Sequence, residues 1–567
     1  MPETARENFM KNRNLMKILL SVFIISLVYI LPAKAAGSDV LKVGLFYSSN
    51  ALPAANLQNV TGIGYGYEVG YFDSARQFVP LYSIDSTNKI TMVKDKLMYI
   101  DSSNTYYDVK PNSFTTTISP YHLQLNTQFE TREELELAIY VLSDYGLTVF
   151  PAYTNDAYAV RMGQYETKTK AEEALLEVAA TTGLEFSVCG YSNTCYTVTS
   201  TGTNKIFFEY DNGTPMAIMP VYAEGKAQTW FKGYKYYGGF EYNRVNGNDI
   251  SVINYVTEDD YAKGVVPYEV NPNWHTEVLK VQALCAKSYA QNCIGKHKSQ
   301  GFDICDTTHC QVYNGTNQAT ANSDAACDAV SGQYVVYNGK IANTFFHASS
   351  GGHTEDVENI WGNKIDYLRG VPDDYLKYTS SPYEDWSYKL SLDKITQILK
   401  SKGYSVTKIT DFYVSKYSKY GNVLQLAFVD QTNGRKTVSG DTARTLLNSS
   451  SHGVTIYSHR YTVTSDSAGV YVGNRQVKSI SDIFAIGADL VKKALTGNWN
   501  EVKVLSKNGV STISTGTGSS DIIIQGSGSG HNIGMSQWGA RGMAEKGINY
   551  IDIIKHYFTG VEVGNVD

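Results

Sequence analysis

GVVPYEVNPNWHTEVLKVQALCAKSY, residues 264–289, joins an apolar approach to a lone carboxylate, Glu269, and then to a run in which Val278, Val281, Leu284, Cys285 and Tyr289 recur at helical spacing. Pro267 disfavours helical geometry at Val266, and Pro272 removes a backbone donor two residues before Trp274. The sequence therefore predicts a bent, non-helical segment with Glu269 at its corner. A carboxyl held there against Val266, Tyr268 and Trp274 is partly desolvated. Desolvation favours the protonated form, and a carboxyl that keeps its proton near neutral pH can act as a general acid. The plain alternative is a surface Glu in a turn.

Toward the N-terminus, Arg6, Lys11, Arg13 and Lys17 precede an apolar run from Ile18 to Leu31 and an A-x-A pattern at Ala33-Lys34-Ala35. The run is short for a bilayer span, so residues 1–35 read as an export signal, with a retained anchor as the alternative. Export puts the rest of the chain in the extracytoplasmic envelope or wall, touching membrane only through residues 1–35 if they stay attached. Those residues hold five Lys/Arg and two Asp/Glu; the remainder carries 44 basic against 53 acidic groups, a net of about −9. That balance argues against nucleic acid and anionic wall polymers as bulk electrostatic partners. A chain of 567 residues, 43% apolar and 18% charged, is that of a folded, multidomain protein. Its 44 Tyr and six Trp supply faces able to stack on sugar rings, although most of that Tyr content suits strand packing.

Seven cysteines, Cys189, Cys195, Cys285, Cys293, Cys305, Cys310 and Cys327, leave at least one thiol unpaired or on a metal in an exported protein. Cys189 and Cys195 are spaced to close a small disulfide loop; Cys285 reads as core. His297, Cys305, His309 and Cys310 put four zinc-type ligands within fourteen residues, enough for a closed structural site. A Cys305–Cys310 disulfide with solvated histidines is the alternative. Four protein ligands leave no open position for water, so such a zinc is structural and catalysis needs no cofactor.

Residues 36–119 read as strands and turns, opened by VLKVGLFY. Within 120–200 a strand, a turn and a helix occur twice. His122–Leu125 leads to a helix from Arg132, and Tyr158–Gly163 leads to one from Lys168, at an offset of about 36 residues. Two such units predict a small sheet with both helices on one face and the other face free to bind. Thr257 with Asp260 three residues later predicts a helix start leading to Glu269. Ser349-Ser350-Gly351-Gly352 lets a polymer approach the backbone, where amides and hydroxyls could hold it; a tight turn is the alternative. Thr512–Gly530 is Gly/Ser-rich and lacks the ending of a phosphate loop, so it reads as a mobile loop beside the cleft.

The opening stretch resembles the core motif of the SpoIID family, sporulation and cell-wall proteins that include the amidase-enhancer branch. Three more motifs agree in order: THCQVYNG (Thr308–Gly315), ASSGGHTEDVENIWG (Ala348–Gly362) with YLRGVPD (Tyr367–Asp373), and GHNIGMSQWGARGMAEKG (Gly530–Gly547). The resemblance implies an α+β, multidomain chain with a strand-rich SpoIID-type catalytic domain over 201–567. The VLKVGL strand resembles the one that opens many such domains, so the catalytic domain can begin within 36–119. An inserted or preceding small α+β domain over 120–200 looks like a SPOR domain, a binder of glycan strands stripped of stem peptides. A ferredoxin-like module without a defined partner is its alternative.

In the sporulation branch the family is a lytic transglycosylase, and Glu269 matches its catalytic glutamate. By resemblance, Glu269 protonates the oxygen between N-acetylmuramic acid and N-acetylglucosamine. It then takes the proton of the muramic C6 hydroxyl, closing a 1,6-anhydro ring without the second carboxylate a hydrolase normally uses. The candidate substrate contacts are Ser349, Ser350, Gly351, Gly352, His531, Gln537 and Lys287; His531 could bond the sugar or orient Glu269, and a satisfied buried His is the alternative. Cys305, Cys310, His309 and His297 resemble the structural zinc set of some relatives. The implied partners are denuded peptidoglycan strands and a cell-wall amidase. A non-catalytic glycan-binding amidase enhancer stays open as the second reading. Two departures stand out: Lys287 where the family usually has Arg, and Asn532 after His531 where Gly is commoner.

Overall fold

The computed structural model describes residues 39–566 except 145, 223–224, 245–247, 466–469, 473–474, 478–483, 487–491, 495–500, 507–508 and 515–520, with backbone alone over 465–514. The expected export signal lies outside the described residues. Among the described residues no helix is long and apolar enough to cross a membrane. The chain divides into two compact units, Met1–Pro272 with Cys293–Asp328, and Asn273–Asn292 with Ala329–Asp567. The architecture is α+β and strand-rich.

The first unit holds a seven-stranded sheet ordered Ile304–Cys305, Val40–Phe46, Ser251–Thr257, Gly239–Asn243, Met216–Tyr222, Gly64–Phe72, Phe78–Ile84. The opening strand thus pairs antiparallel with Ser251–Thr257, and Val40 sits opposite Thr257. Segments about 200 residues apart in sequence share this sheet, and the residues between them build most of a second one.

That second, ten-stranded sheet contains Tyr121–Leu125 (β1), Val149–Thr154 (β2), Ala157–Tyr165 (β3), Phe186–Gly190 (β4), Tyr196–Ser200 (β5) and Ile206–Asp211 (β6), in the order β4-β1-β3-β2-β6-β5. Helices α1 (Arg132–Asp144) and α2 (Lys168–Thr182) complete a βαββαβ pattern over β1 to β4, with the split-βαβ strand order. Leu123, Phe186 and Met162 pack against Ala171, Leu175 and Val178 of α2. Thr167 caps α2, accepting from the Lys170 amide, and Gly183 ends it at φ +66.

The expectation of a free second face fails. Flat, β4 and β5 would stand about 24 Å apart at ~4.8 Å per strand. Only six Cα steps join Gly190 to Tyr196, a reach of at most ~21 Å. The sheet must curl, and its second face turns inward. His122, Arg161 and Glu209 lie there buried, at 1%, 5% and 1% exposure. Arg161 donates to Glu209 at 2.8 Å, and His122 Nε2 lies 3.1 Å from the same carboxylate. Burial opposes the Glu209 charge, but His122 and Arg161 outweigh it and hold its pKa down to about 2. Beside this group, burial and then the charge of Glu209 push Asp95 up to about 7. Cys189 and Cys195 also border the group, and their thiols are unbonded, so the expected small disulfide is not formed.

In the second unit, Leu392–Ser401 lays Ile395, Ile398 and Leu399 on Phe412, Leu426 and Phe428 of a three-stranded sheet. Ile522–Gly526 is the central strand between Trp386–Leu390 and Tyr461–Ser465. This corrects the mobile-loop reading of Thr512–Gly530: the run Ile522-Ile523-Ile524 buries two of its side chains, and burial outweighs the flanking glycines. Residues 515–520 of that call lie outside the described residues.

Replacing Glu209 by Gln strands a buried guanidinium and should cost about 3–5 kcal/mol in urea denaturation at neutral pH. A carboxylate whose folded pKa is depressed gives stability above its unfolded value of ~4.5 and loses it as pH falls toward about 2. The gap between wild type and Glu209→Gln should therefore shrink as the pH falls through that window.

Candidate active site

Helix α3 (Glu258–Glu269) starts where Thr257 accepts from the Asp260 amide, as the sequence predicts. Asp260 is fixed by Lys226 at 2.7 Å, and Lys263 pairs with Asp328 at 2.7 Å. The helix does not stop before Pro267. It carries Val266 and Pro267 to Glu269, and Val270 then turns extended at φ −134 and ψ 156 while its amide still bonds Val266 O. A proline here forfeits one intrahelical bond, and burial of Val265, Val266 and Pro267 offsets that loss. Glu269 is the last helical residue and is half-buried. The chain beyond it is fastened at Pro272 O, which accepts from Asn322 at 3.1 Å and Thr320 at 3.4 Å.

The THCQVYNG segment forms the platform under α3. Gly264 leaves room for the Tyr313 ring; a Cβ there would come within 2.4 Å of it. Tyr313 stacks on Tyr261 at 4.8 Å and donates to Asn254 at 2.8 Å, and Tyr261 donates to Gln311 at 2.9 Å. Gly315, at φ +64, lies so close to Lys235 O that any side chain would collide with it. Tyr268, beside Glu269, has its phenol pushed up by burial and then by Tyr234.

The four predicted metal ligands do converge. Their ligand atoms all lie within 4.8 Å of one another, with His297 Nε2 3.3 Å from Cys310 Sγ and His309 Nδ1 3.6 Å from both sulfurs. Tetrahedral zinc with bonds of ~2.0–2.3 Å sets its ligands about 3.3–3.8 Å apart, so the set fits such an ion. The turn that carries Cys310 N–H to Thr307 O lets neighbours His309 and Cys310 aim at one point. Gln300 bonds His297 Nδ1 at 2.6 Å, which would leave Nε2 to a metal. Burial opposes the Cys305 thiolate, but hydrogen bonds from Thr307, Cys310 and Tyr47 prevail and hold its pKa down.

The remaining predicted residues lie in the second unit. Ser349 and Ser350 are 2% and 0% exposed, so their side chains are turned inside, whereas Gly351 and Gly352 are partly exposed. Ser350 instead donates to Asp373 at 2.6 Å, and Tyr557 donates to the same carboxylate at 2.8 Å. Gly539 has no side chain because a Cβ there would meet Asp373 Oδ1 at 2.0 Å. Gln537 is buried and donates to Gln282 on helix α4 (Thr276–Asn292). Lys287 is 1% exposed, with its ammonium on Val330 O at 2.7 Å, which makes it an anchor of α4 and not a sugar contact. Burial, followed by the Arg444 cation, pushes His531 down to about 4. Its Nδ1 accepts from Ile533 N–H, so the neutral ring is locked in place. Trp274 packs on Trp538 at 4.9 Å.

Asn532 accounts for the departure from Gly. It sits at φ +63, a region Asn tolerates, and its amide donates to Ser350 O at 2.8 Å. Sequence reasoning missed Asp373, although the quoted YLRGVPD motif ends on it.

The family model described as SpoIID, Stage II sporulation protein, matches residues 246–337. An uncharacterized protein of Brachyspira hyodysenteriae is 30% identical over 369 residues, 64% of this chain and 83% of that protein. The chain belongs to the SpoIID family. It is also similar to the Stage II sporulation protein D of Bacillus amyloliquefaciens, 27% identical over 324 residues, 54% of this chain and 74% of the relative. The amidase enhancer of Bacillus subtilis is 26% identical over 316 residues, 53% of this chain, which spans 39% of that longer protein. The matched SpoIID segment contains all of α3, Glu269, the four-ligand cluster and the Tyr313 platform.

Gly264→Ala should overpack α3 against Tyr313 and cost about 1–3 kcal/mol in chemical denaturation. Adding Tyr313→Leu, which frees that space, should recover less than half, because the Asn254 bond is lost with the ring.

Proposed function

We propose that the protein is a lytic transglycosylase of peptidoglycan glycan strands, with Glu269 as acid and then base, working in an extracytoplasmic wall linked to sporulation. The observation that carries this reading is the place of Glu269. It ends a buried helix inside the family-matched segment, half-exposed and backed by a fixed aromatic platform. A general acid must come within hydrogen-bond reach of the oxygen it protonates, and a carboxyl fixed at a helix end and only partly buried can meet that condition. After donating to the glycosidic oxygen, the carboxylate is positioned to receive the C6 hydroxyl proton as C6 oxygen closes on C1. One group then serves both steps, which suits an intramolecular attack better than water addition. Removing a general acid typically costs a factor of about 100 to 10,000. Glu269→Gln should leave the melting curve unchanged and abolish 1,6-anhydro products from denuded sacculi by mass spectrometry. Undiminished release by that variant sinks the assignment.

His297, Cys305, His309 and Cys310 hold a structural zinc in this reading. The ion supplies no step of the reaction; it fixes the loop that carries Gln311 and Tyr313 under α3. Chelator dialysis should remove about one zinc per chain and lower Tm, and Cys305→Ser should reproduce the effect. Metal-free protein with an unchanged melt counts against it.

The likeness to an amidase enhancer supports a second reading, a glycan-binding protein that stimulates a cell-wall amidase without cutting. Strand binding with no released product, and amidase stimulation untouched by Glu269→Gln, would select it. The SPOR-like expectation for residues 120–200 keeps its strand order, but its second face is filled by Arg161, Glu209 and His122. Glycan binding is accordingly assigned to the Glu269 segment and not to that sheet face.

A further inference from the structure

We propose that Arg460, with the bare backbones of Gly352 and Gly421 and the stacked rings of His353 and Tyr420, forms a carboxylate-binding subsite in the second unit. The ligand, an anionic glycan, rests on the peptidoglycan reading above; the subsite itself rests on geometry.

Arg460 precedes the strand Tyr461–Ser465 and is half-buried. Its backbone is fixed on both sides: its carbonyl accepts from Ser527 N–H at 3.0 Å, and its amide donates to Ser458 Oγ at 3.0 Å. Ser527 in turn donates to Gly351 O at 3.1 Å, which puts Arg460 beside the Gly351-Gly352 turn. Nη1 donates to Tyr420 O at 2.8 Å. Among the described residues, Nε and Nη2 have no acceptor, and no carboxylate lies within 4 Å of the guanidinium. Burial without a paired anion lowers its pKa; Glu355 offsets this only in part and is itself engaged by Asn359 and Asn422.

Gly352 (φ +121) and Gly421 (φ +90) face the guanidinium; a Cβ at either would stand 3.6 Å from it, Gly352 beside Nε and Gly421 beside Nη1. His353 and Tyr420 stack at 4.1 Å; Lys419 lies 4.5 Å over the Tyr420 ring but is paired with Asp356 at 3.4 Å, which leaves Arg460 to supply the cation. The pair Nε–H and Nη2–H is a side-on fork that matches the two oxygens of a carboxylate. On a peptidoglycan strand such a group has two sources. One is the lactyl carboxylate of muramic acid, free where no stem peptide is attached; the other is a carboxylate of the stem peptide.

The test titrates fluorescent strand oligosaccharides in three forms: free lactyl carboxylates, the same groups as primary amides, and peptide-bearing. The proteins are full-length Glu269→Gln and Glu269→Gln/Arg460→Gln, so binding is read without cleavage. Loss of a charge-assisted fork should weaken a carboxylate ligand roughly 10- to 100-fold and leave the amide form unchanged. Loss confined to the free lactyl form identifies that source, and loss confined to the peptide-bearing form identifies the other. If Arg460→Gln unfolds, the acid and amide forms are compared on Glu269→Gln alone, where the acid must bind tighter. Equal affinity for acid and amide, or no effect of Arg460→Gln on any form, overturns the subsite. Cleavage by the Glu269 variant would end the catalytic reading while leaving the affinity difference intact. No binding of any form would end both.

Discussion

A phenol ring occupying the space of a missing side chain holds the family-matched segment around Glu269 together. Tyr313 lies against Gly264, stacks on Tyr261 and donates to Asn254, whose own amide bonds Tyr237 O and Gly239 O. One ring therefore joins helix α3, the strand that feeds it, the hairpin before that strand and the loop after the His/Cys cluster. Tyr313 N–H also bonds Asp306 O, the neighbour of Cys305. The carboxylate is positioned by a chain of fixed groups that ends on the four-ligand cluster, so distant residues bear on its geometry.

The second unit uses the same device with a carboxylate at its centre. Asp373 accepts from Ser350 and Tyr557 and leaves no room for a side chain at Gly539, which draws three separated motifs to one buried oxygen pair. Satisfied buried acceptors of this kind rigidify a loop, because each lost partner would leave a desolvated charge. The surface left by that arrangement is glycine backbone.

Much of this was legible because local chemistry has local signatures. Thr257 with Asp260 gives the helix start, and two Cys with two His in fourteen residues give the ligand cluster. The repeated strand, turn and helix give the split-βαβ order. What stayed hidden depends on which way a side chain faces. Pro267 reads as a helix breaker because its missing donor is visible and the burial that offsets it is not. Ser349, Ser350, Gln537 and Lys287 are polar residues in motifs and so suggest contacts with ligand, yet each is spent inside. Arg460 sits in no motif, and its place beside the bare backbones of Gly352 and Gly421 emerges only in three dimensions.

The curled sheet has a consequence for how this chain can be cut. Strands β1 to β4 bury their charged face only because β5 and β6 continue the sheet around it. A fragment ending at Gly190 would lose Glu209, open Arg161 and His122 to solvent and expose the unpaired margin of β2, an invitation to edge-to-edge association. Unlike a bead on a string, this part of the molecule is not a transferable cassette, and its evolutionary shuffling would have to carry its neighbours along.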